Sequence, residues 1–404
     1  MRVVMISPGF PVEQSYFTRA LAQAGAEVVG VGDQPEHVLP PEARANLVHY
    51  QQAPLGRADE VLDALVDLGR RARIDRVECL WEPYVLLAAM ARERLGLPGM
   101  TVDQALLFRD KELMKQRLDE AGIRTPRHAS ATTAAEVWAA AERIGYPLIV
   151  KPIAGAGSAD TYRVDSAEDL AELLPMLLHV RKLSVEEFIN GDEEYTYDTV
   201  CADGEVLFEN ISWYRPRPLI GRSVEWISPQ TVALRDIDAP HLQDGREMGR
   251  QVLQALEFDT GFTHMEWFRT PGGETVFGEI GARPPGARSV DIMNFSTDGD
   301  LFRAWAEAVT RGTTAALTKQ YNALTLFKRA RGLGRITRIE GLEQLVRDYR
   351  EHLCVVDLLP VGARRRDWRA TLLSDGMVIA RHPDLDQLTA MADRIGHDLQ
   401  IYAS

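Results

Sequence analysis

Glu266, Glu279 and Arg283 stand at spacings that could hold a hard cation beside an anionic group, within the stretch from Gly261 to Arg288. Residues 262–268 and 274–281 carry alternating polarity and flank the turn-forming Thr270, Pro271, Gly272 and Gly273, so they read as an antiparallel hairpin. Each strand holds one acidic residue in apolar company, and such a carboxylate needs a cation or a basic partner. Arg283 follows Glu279 by four residues, where Pro284, Pro285 and Gly286 stiffen the turn that presents it. Carboxylate oxygens beside a planar guanidinium suit magnesium and the phosphates of a nucleotide. A surface hairpin whose glutamates pair with nearby arginines accounts for the same residues equally well.

Further candidates lie upstream. A strand over 147–151 delivers Lys151 into the small-residue stretch 152–160, whose backbone amides beside an ammonium could cradle phosphate. The stretch does not match GxxxxGK[ST], so the chain is no P-loop hydrolase, and a plain glycine hairpin with an incidental lysine is the other reading. Glu187, Ile189 and Glu194 could edge a nucleotide pocket, with a backbone rim for adenine and carboxylates for ribose hydroxyls. Two strands joined by a solvated acidic turn would look alike. Glu82 ends a strand at 76–80, where open α/β sheets expose functional groups, and helix capping is its simpler role. Arg215 and Arg217, in a loop at 213–218, are substrate contacts or solvated charges. His264 shares a strand face with Glu266 and could touch substrate, take a proton, or serve structure alone. Arg288 could grip a substrate carboxylate with its fork of donors.

The elements that must position these groups begin with strands 2–7 and 27–31 around a helix at 14–24, a β-α-β opening without the GxGxxG pattern of a nicotinamide dehydrogenase. Helices at 59–71 and 83–95 follow, then a boundary at 96–99. A helix over 109–120 carries Lys111, and another over 133–144 starts with Thr133 and Glu136 spaced as a capping box. Strands at 161–164, 206–213 and 225–233 and helices at 167–178, 241–255 and 300–310 lead to a smaller α+β unit beyond residue 323, with helices at 340–347 and 384–395.

The chain of 404 residues is 45% apolar, enough for two or three packed domains. Its net charge of -13, with 46 basic residues, speaks against a general nucleic-acid binder, and Arg364, Arg365 and Arg366 read as a solvated turn. Cys79, Cys201 and Cys354 are odd in number and far apart, which suits a reducing compartment. With no signal-peptide pattern and no apolar run long enough for a bilayer, the expectation is a cytoplasmic protein with no membrane and no nucleic-acid partner. A homodimer is the default assembly.

Taken in order, these features resemble the ATP-grasp ligases, in particular their carboxylate-amine branch, over most of the chain. The resemblance implies an architecture of α/β and α+β parts. A pre-ATP-grasp α/β domain would cover residues 1–100, and an ATP-grasp domain 101–312, its small ATP-binding subdomain near 125–190. A C-terminal α+β domain over 313–404 would look like the closing segment of biotin-carboxylase-type members. ATP and Mg2+, with Mn2+ as a substitute, are the implied cofactors. Lys111 and Lys151 match the family's phosphate-touching lysines. Glu186, Glu187, Phe188 and Ile189, followed by Glu194, look like the adenine and ribose signature. Glu266 and Glu279 match the two magnesium positions and Arg283 the phosphate-binding arginine, so Arg283, Lys151 and Glu279 are the expected catalytic residues. The family commonly has Glu-x-Asn-x-Arg here, whereas Gly281 supplies no third metal-binding oxygen. The implied reaction phosphorylates a substrate carboxylate, and an incoming amine then expels phosphate. Amino acids are the preferred partners, because the Glu-x-x-x-Arg-Pro-Pro-Gly turn looks like that of amino-acid ligases. Activation of bicarbonate and a noncatalytic ATP-binding regulator are the alternatives.

Overall fold

A computed structural model describes residues 1–154, 160–191, 193–369, 371 and 373–404. The opening β-α-β unit belongs to a four-stranded parallel sheet in the order His49–Gln52, Glu27–Gly32, Arg2–Ile6, Arg76–Glu78. Arg2–Ile6 reads as an apolar run because helices cover both of its faces: Val3 and Met5 pack with Phe17 and Leu21, Val4 and Ile6 with Val61, Leu65 and Leu87. The edge strand His49–Gln52 is not legible from its polar sequence.

Two antiparallel sheets frame the site. The smaller runs His128–Ala131, Leu183–Glu187, Leu148–Pro152, Tyr162–Val164. It is backed by the helix Ala134–Ile144, whose Thr133 and Glu136 close the expected capping box. The larger has eight strands in the order Thr275–Gly281, Gly261–Arg269, Glu193–Ala202, Glu205–Arg215, Gln230–Ala233, Asn322–Lys328, Gly376–His382, Leu353–Leu358. The last three of these strands come from beyond residue 312, so the segment expected as a separate unit completes the central sheet. A three-stranded sheet, Arg331–Gly332, Gln400–Ala403, Ile336–Glu340, finishes the chain.

Local chemistry moves several expected boundaries. The helix expected at 109–120 starts at Lys111, because Asp110 accepts the backbone N–H groups of Glu112 and Leu113 at 3.0 and 3.2 Å. The expected loop at 213–218 is mostly structured: the strand Glu205–Arg215 runs through Trp213, and the helix Pro218–Ser223 follows. A helix at Ser289–Thr297 stands directly after the Pro-Pro-Gly turn. Among the described residues no helix is long and apolar enough to cross a membrane.

The hairpin forms as its alternation predicts, with one irregularity that decides the site. Met265 pairs with Ile280 and Trp267 with Phe277, and all four enter the largest apolar core. Strict alternation from Phe277 would send Glu279 into that core as well. Instead the register shifts at Gly278, so Glu279 lies opposite Glu266 on the other face. Only glycine fits at the bulge: a Cβ on Gly278 would lie 2.8 Å from the Glu266 carbonyl oxygen.

Candidate active site between the two sheets

Lys111 from a helix, Lys151 from the small sheet and Tyr214 from the large one converge on the bulged hairpin. The Lys111 backbone N–H donates to the Ile153 carbonyl at 3.3 Å, which ties the start of its helix to the end of the strand that carries Lys151. The Lys111 ammonium is 3.3 Å from Glu279 Oε2, and the Lys151 ammonium 3.7 Å from the same oxygen. Burial pushes the Glu279 carboxyl up, but Lys111, Lys151 and Lys115 outweigh it and hold it at about 2. On the facing strand Glu266 accepts the Tyr214 hydroxyl at 3.3 Å, and His264 Nε2 lies 3.6 Å from the same carboxylate.

Glu186, which the resemblance puts in the adenine and ribose signature, lines the same cleft as Lys111 and Lys151 with its carboxylate engaged by protein donors. Its Oε1 accepts both Lys115 Nζ and Ser184 Oγ at 2.8 Å, and its Oε2 lies 3.0 Å from Lys151. Burial raises this carboxyl, yet Lys115 and Lys151 outweigh that and hold it well below the ordinary range. Burial conversely disfavours the Lys151 cation, while Glu186 and Glu279 more than restore it. Glu186 therefore fixes and charges Lys151, and its own oxygens are committed to protein donors.

Lys111, Lys151, Glu187, Phe188, Ile189 and Glu194 line one cleft together with Glu266 and Glu279. Arg217 crosses its rim, donating to Glu194 at 3.0 Å and to the Ile189 and Gly191 carbonyls at 3.1 and 2.6 Å. Arg217 thus takes up the Ile189 carbonyl and one Glu194 oxygen that the resemblance gives to adenine and ribose. Burial and the neighbouring Glu266 raise the Glu194 carboxyl even so. Glu187 accepts from Arg127 at 3.3 Å and lies 3.3 Å from Arg124. The glycine-rich part of 152–160, residues 155–159, lies outside the described residues.

A second chamber of ≈ 690 Å³ lies beside the cleft on the same face of the hairpin and shares Glu266 and Glu279 with it. Glu82, His264 and Arg283 also line it. Glu82 does not cap a helix. Its carboxylate bridges Arg109 and Arg283, the latter at 2.5 Å, joining the first domain to the hairpin. His264 Nδ1 lies 2.6 Å from the buried Asp198; burial lowers the imidazole pKa, but Asp198 and Glu266 outweigh it and bring it to about 9. Arg288 is not part of this wall, because Asp291 holds it at 2.6 Å. Lys115, Asp198 and Tyr214 are contributions that sequence reasoning misses. Only the four-residue spacing of Lys115 from Lys111 on one helix hinted at any of them.

The donor set suits a hard cation. Magnesium takes one or two carboxylates and completes its shell with phosphate oxygens and water. Glu266 and Glu279 provide the pair, while among the described residues no cluster of three His, Cys, Asp or Glu could hold a metal.

Lysines fixed beside a carboxylate pair, between a small sheet and a large one, have the chemistry that a clamp for nucleotide phosphates needs. The family model of the ATP-grasp domain matches residues 116–296, and that of the ATP-grasp N-terminal domain matches residues 18–99. The chain belongs to the ATP-grasp superfamily. It is 31% identical over 215 residues to an L-arginine-specific L-amino acid ligase of Bacillus subtilis, 52% of this chain and 51% of that one. The chain spans about half the length of such curated relatives. In fold it is similar to an L-amino acid ligase from Bacillus licheniformis, with a TM-score of 0.79, 20% identity, and 100% and 99% of the two chains covered. An N5-carboxyaminoimidazole ribonucleotide synthetase from Thermotoga maritima matches with a TM-score of 0.74, 16% identity and the same coverage.

Proposed function

We propose that the protein is an ADP-forming ligase that activates a carboxylate as an acyl phosphate and passes the acyl group to an amine. One observation carries this reading: Glu266 and Glu279 line both the lysine-walled cleft and the large chamber. Phosphates entering from one side and an organic substrate from the other meet at the same two carboxylates. A carboxylate oxygen attacks the γ-phosphorus, the bond to the β-phosphate oxygen breaks, and ADP leaves. The amine then attacks the acyl carbon, phosphate departs with the C–O bond pair, and the amine loses a proton.

Lys111 and Lys151 offset charge on the phosphates, and Arg283 reaches them from the chamber side with donors that Glu82 leaves free. Glu186 and Lys115 keep Lys151 charged and in place. Glu266 and Glu279 would hold magnesium, which supplies charge neutralisation across the phosphates.

Two readings of the carboxylate remain, each with its own support. The Bacillus subtilis relative and the size of the chamber favour an organic acid such as an amino acid. N5-carboxyaminoimidazole ribonucleotide synthetases recur among the structural likenesses and weigh more heavily toward a carboxylating enzyme, in which bicarbonate is activated and the chamber holds the amine. An ADP-release screen with ATP and magnesium separates them. Wells hold amino-acid pairs, or bicarbonate with single amines, and every positive goes to mass analysis. Joined amino acids less water support the first reading, and a carboxylated amine the second. Silence in every well, with ATP bound, would refute the ligase and leave an ATP-binding regulator.

The bulge makes a sharper prediction for the same assay. Gly278→Ala forces its methyl group against the Glu266 carbonyl and so parts the two carboxylates. ADP release is expected to fall about 100-fold, the cost of a misplacement near 1 Å. An unchanged rate would show that the spacing of Glu266 and Glu279 does not depend on the bulge.

A further inference from the structure

The chain carries a net charge of -13, yet Arg222, Arg283, Arg329 and Arg369 all line the large chamber. Glu82 neutralises Arg283. The other three arrive from separate segments: the helix Pro218–Ser223, the turn after Asn322–Lys328, and the loop before residue 371. Among the described residues none of the three forms an ion pair with a carboxylate. The acidic groups close by are already taken. Glu225 pairs with Arg365 at 2.5 Å, and the buried Asp375 accepts the backbone N–H groups of Ala330 and Arg366 at 2.7 Å.

The cluster is nonetheless built, not loose. Arg329 donates to the carbonyls of Gly221, Val224 and Glu225 at 2.7, 2.8 and 3.2 Å, which fixes the segment that carries Arg222. Arg222 donates to the Arg369 carbonyl at 3.2 Å. The Trp368 ring lies under Arg329 and Arg369, at 4.5 and 5.1 Å. Burial lowers the proton affinity of both Arg222 and Arg329, and Arg222 lowers that of Arg329 further. The like charges of the partly buried Arg222 and Arg329 carry an electrostatic cost that an anion would reduce, and the exposed Arg369 stands at the rim.

We propose that this arginine wall binds an anionic group, a phosphate or a carboxylate, at the end of the substrate remote from the hairpin carboxylates Glu266 and Glu279. Which end reacts rests on the ligase reading above; that an anion binds does not. The substrate is then bipolar, with its middle passing Trp81, Tyr214 and Phe327 on the chamber walls. Arg222 is the specificity-determining residue, since most of its five donors face no acceptor among the described residues.

The test is calorimetric binding to the full chain in the presence of ADP and magnesium. The probes are O-phosphoethanolamine, O-phospho-L-serine and L-glutamate, each against its neutral counterpart ethanolamine, L-serine or L-glutamine. At least one anionic probe is expected to bind about tenfold tighter than its counterpart. Arg222→Gln should abolish that preference and Arg222→Lys retain part of it, with circular dichroism showing both variants folded. Preference for the phosphorylated pair or for glutamate identifies the anion. Equal binding within every pair, no binding by any anionic probe, or a preference untouched in Arg222→Gln overturns the proposal. ADP release is measured on the same mixtures. If it stays silent while the Arg222-dependent preference persists, the ligase reading fails and the anion site stands; release without the preference does the reverse.

Discussion

Glu279→Ala is expected to lower ADP release by about 1,000-fold while the chain stays folded, the scale on which removal of a preorganised charge-placing group acts. Glu279 faces Lys111, Lys151 and the first strand's Glu266 together. Its loss takes away one of the two carboxylates proposed to hold magnesium and removes one partner of Lys111. Lys151 is buffered against the change, because Glu186 still holds it at 3.0 Å. The strand pairing that builds the hairpin does not involve the side chain, so the melting transition should stay cooperative. Glu279→Gln separates charge from shape, and it should be nearly as inactive as alanine. The depressed carboxyl pKa also has a stability consequence. A group that ionises more readily when folded stabilises the protein above its ordinary pKa of 4.5, and the benefit is lost as the pH falls toward about 2. The stability gap between wild type and Glu279→Gln should therefore narrow over that acidic window. Turnover of Glu279→Gln within tenfold of wild type would sink the assignment.

The meeting of Glu266 and Glu279 was legible because an acid in an apolar strand is costly and demands an explanation. The aim of Glu279 was not legible. Simple alternation from Phe277 buries it, and the bulge at Gly278 that turns it outward leaves no mark in a run of strand-forming residues beyond one glycine. Lys115 was hidden for another reason: its partner Glu186 is 71 residues away, and on a helix a lysine reads as solvent-facing. Arg288 shows the opposite error, a long donor fork expected to reach substrate but captured three residues on by Asp291. Glu82 reads as a cap from its place before a helix, and only the folded chain brings Arg109 and Arg283 to it. The large chamber collects residues from the first domain, the hairpin and the C-terminal loop, so nothing local in the sequence could outline it. That is why the class of chemistry could be read from the hairpin, while the choice between an amino acid and bicarbonate could not.

Arg283→Ala is the complementary prediction, and it tests the chamber end of the site. Arg283 spends its Nε–H on Glu82 at 2.5 Å and one Nη1–H on the Pro284 carbonyl at 2.9 Å. Of the five donors of a guanidinium, three are left to face the transferring phosphoryl group. Burial disfavours this cation, but Glu82, Glu279 and Glu266 outweigh that and keep it charged. An arginine in such a place stabilises the charge that spreads over the phosphoryl oxygens in the transition state, and alanine is expected to cost about 1,000-fold in kcat. The loss should fall mainly on kcat, because on the proposed reading Lys111 and Lys151 hold the nucleotide from the cleft. Arg283→Lys restores the charge without the planar fork, and should recover only part of the rate. Glu82 keeps Arg109 as a partner in both variants, so neither leaves a buried carboxylate unpaired and neither should unfold the chain. A kcat for Arg283→Ala within tenfold of wild type, or a loss confined to the KM for ATP, would move Arg283 from phosphoryl transfer to a purely structural latch between the first domain and the hairpin.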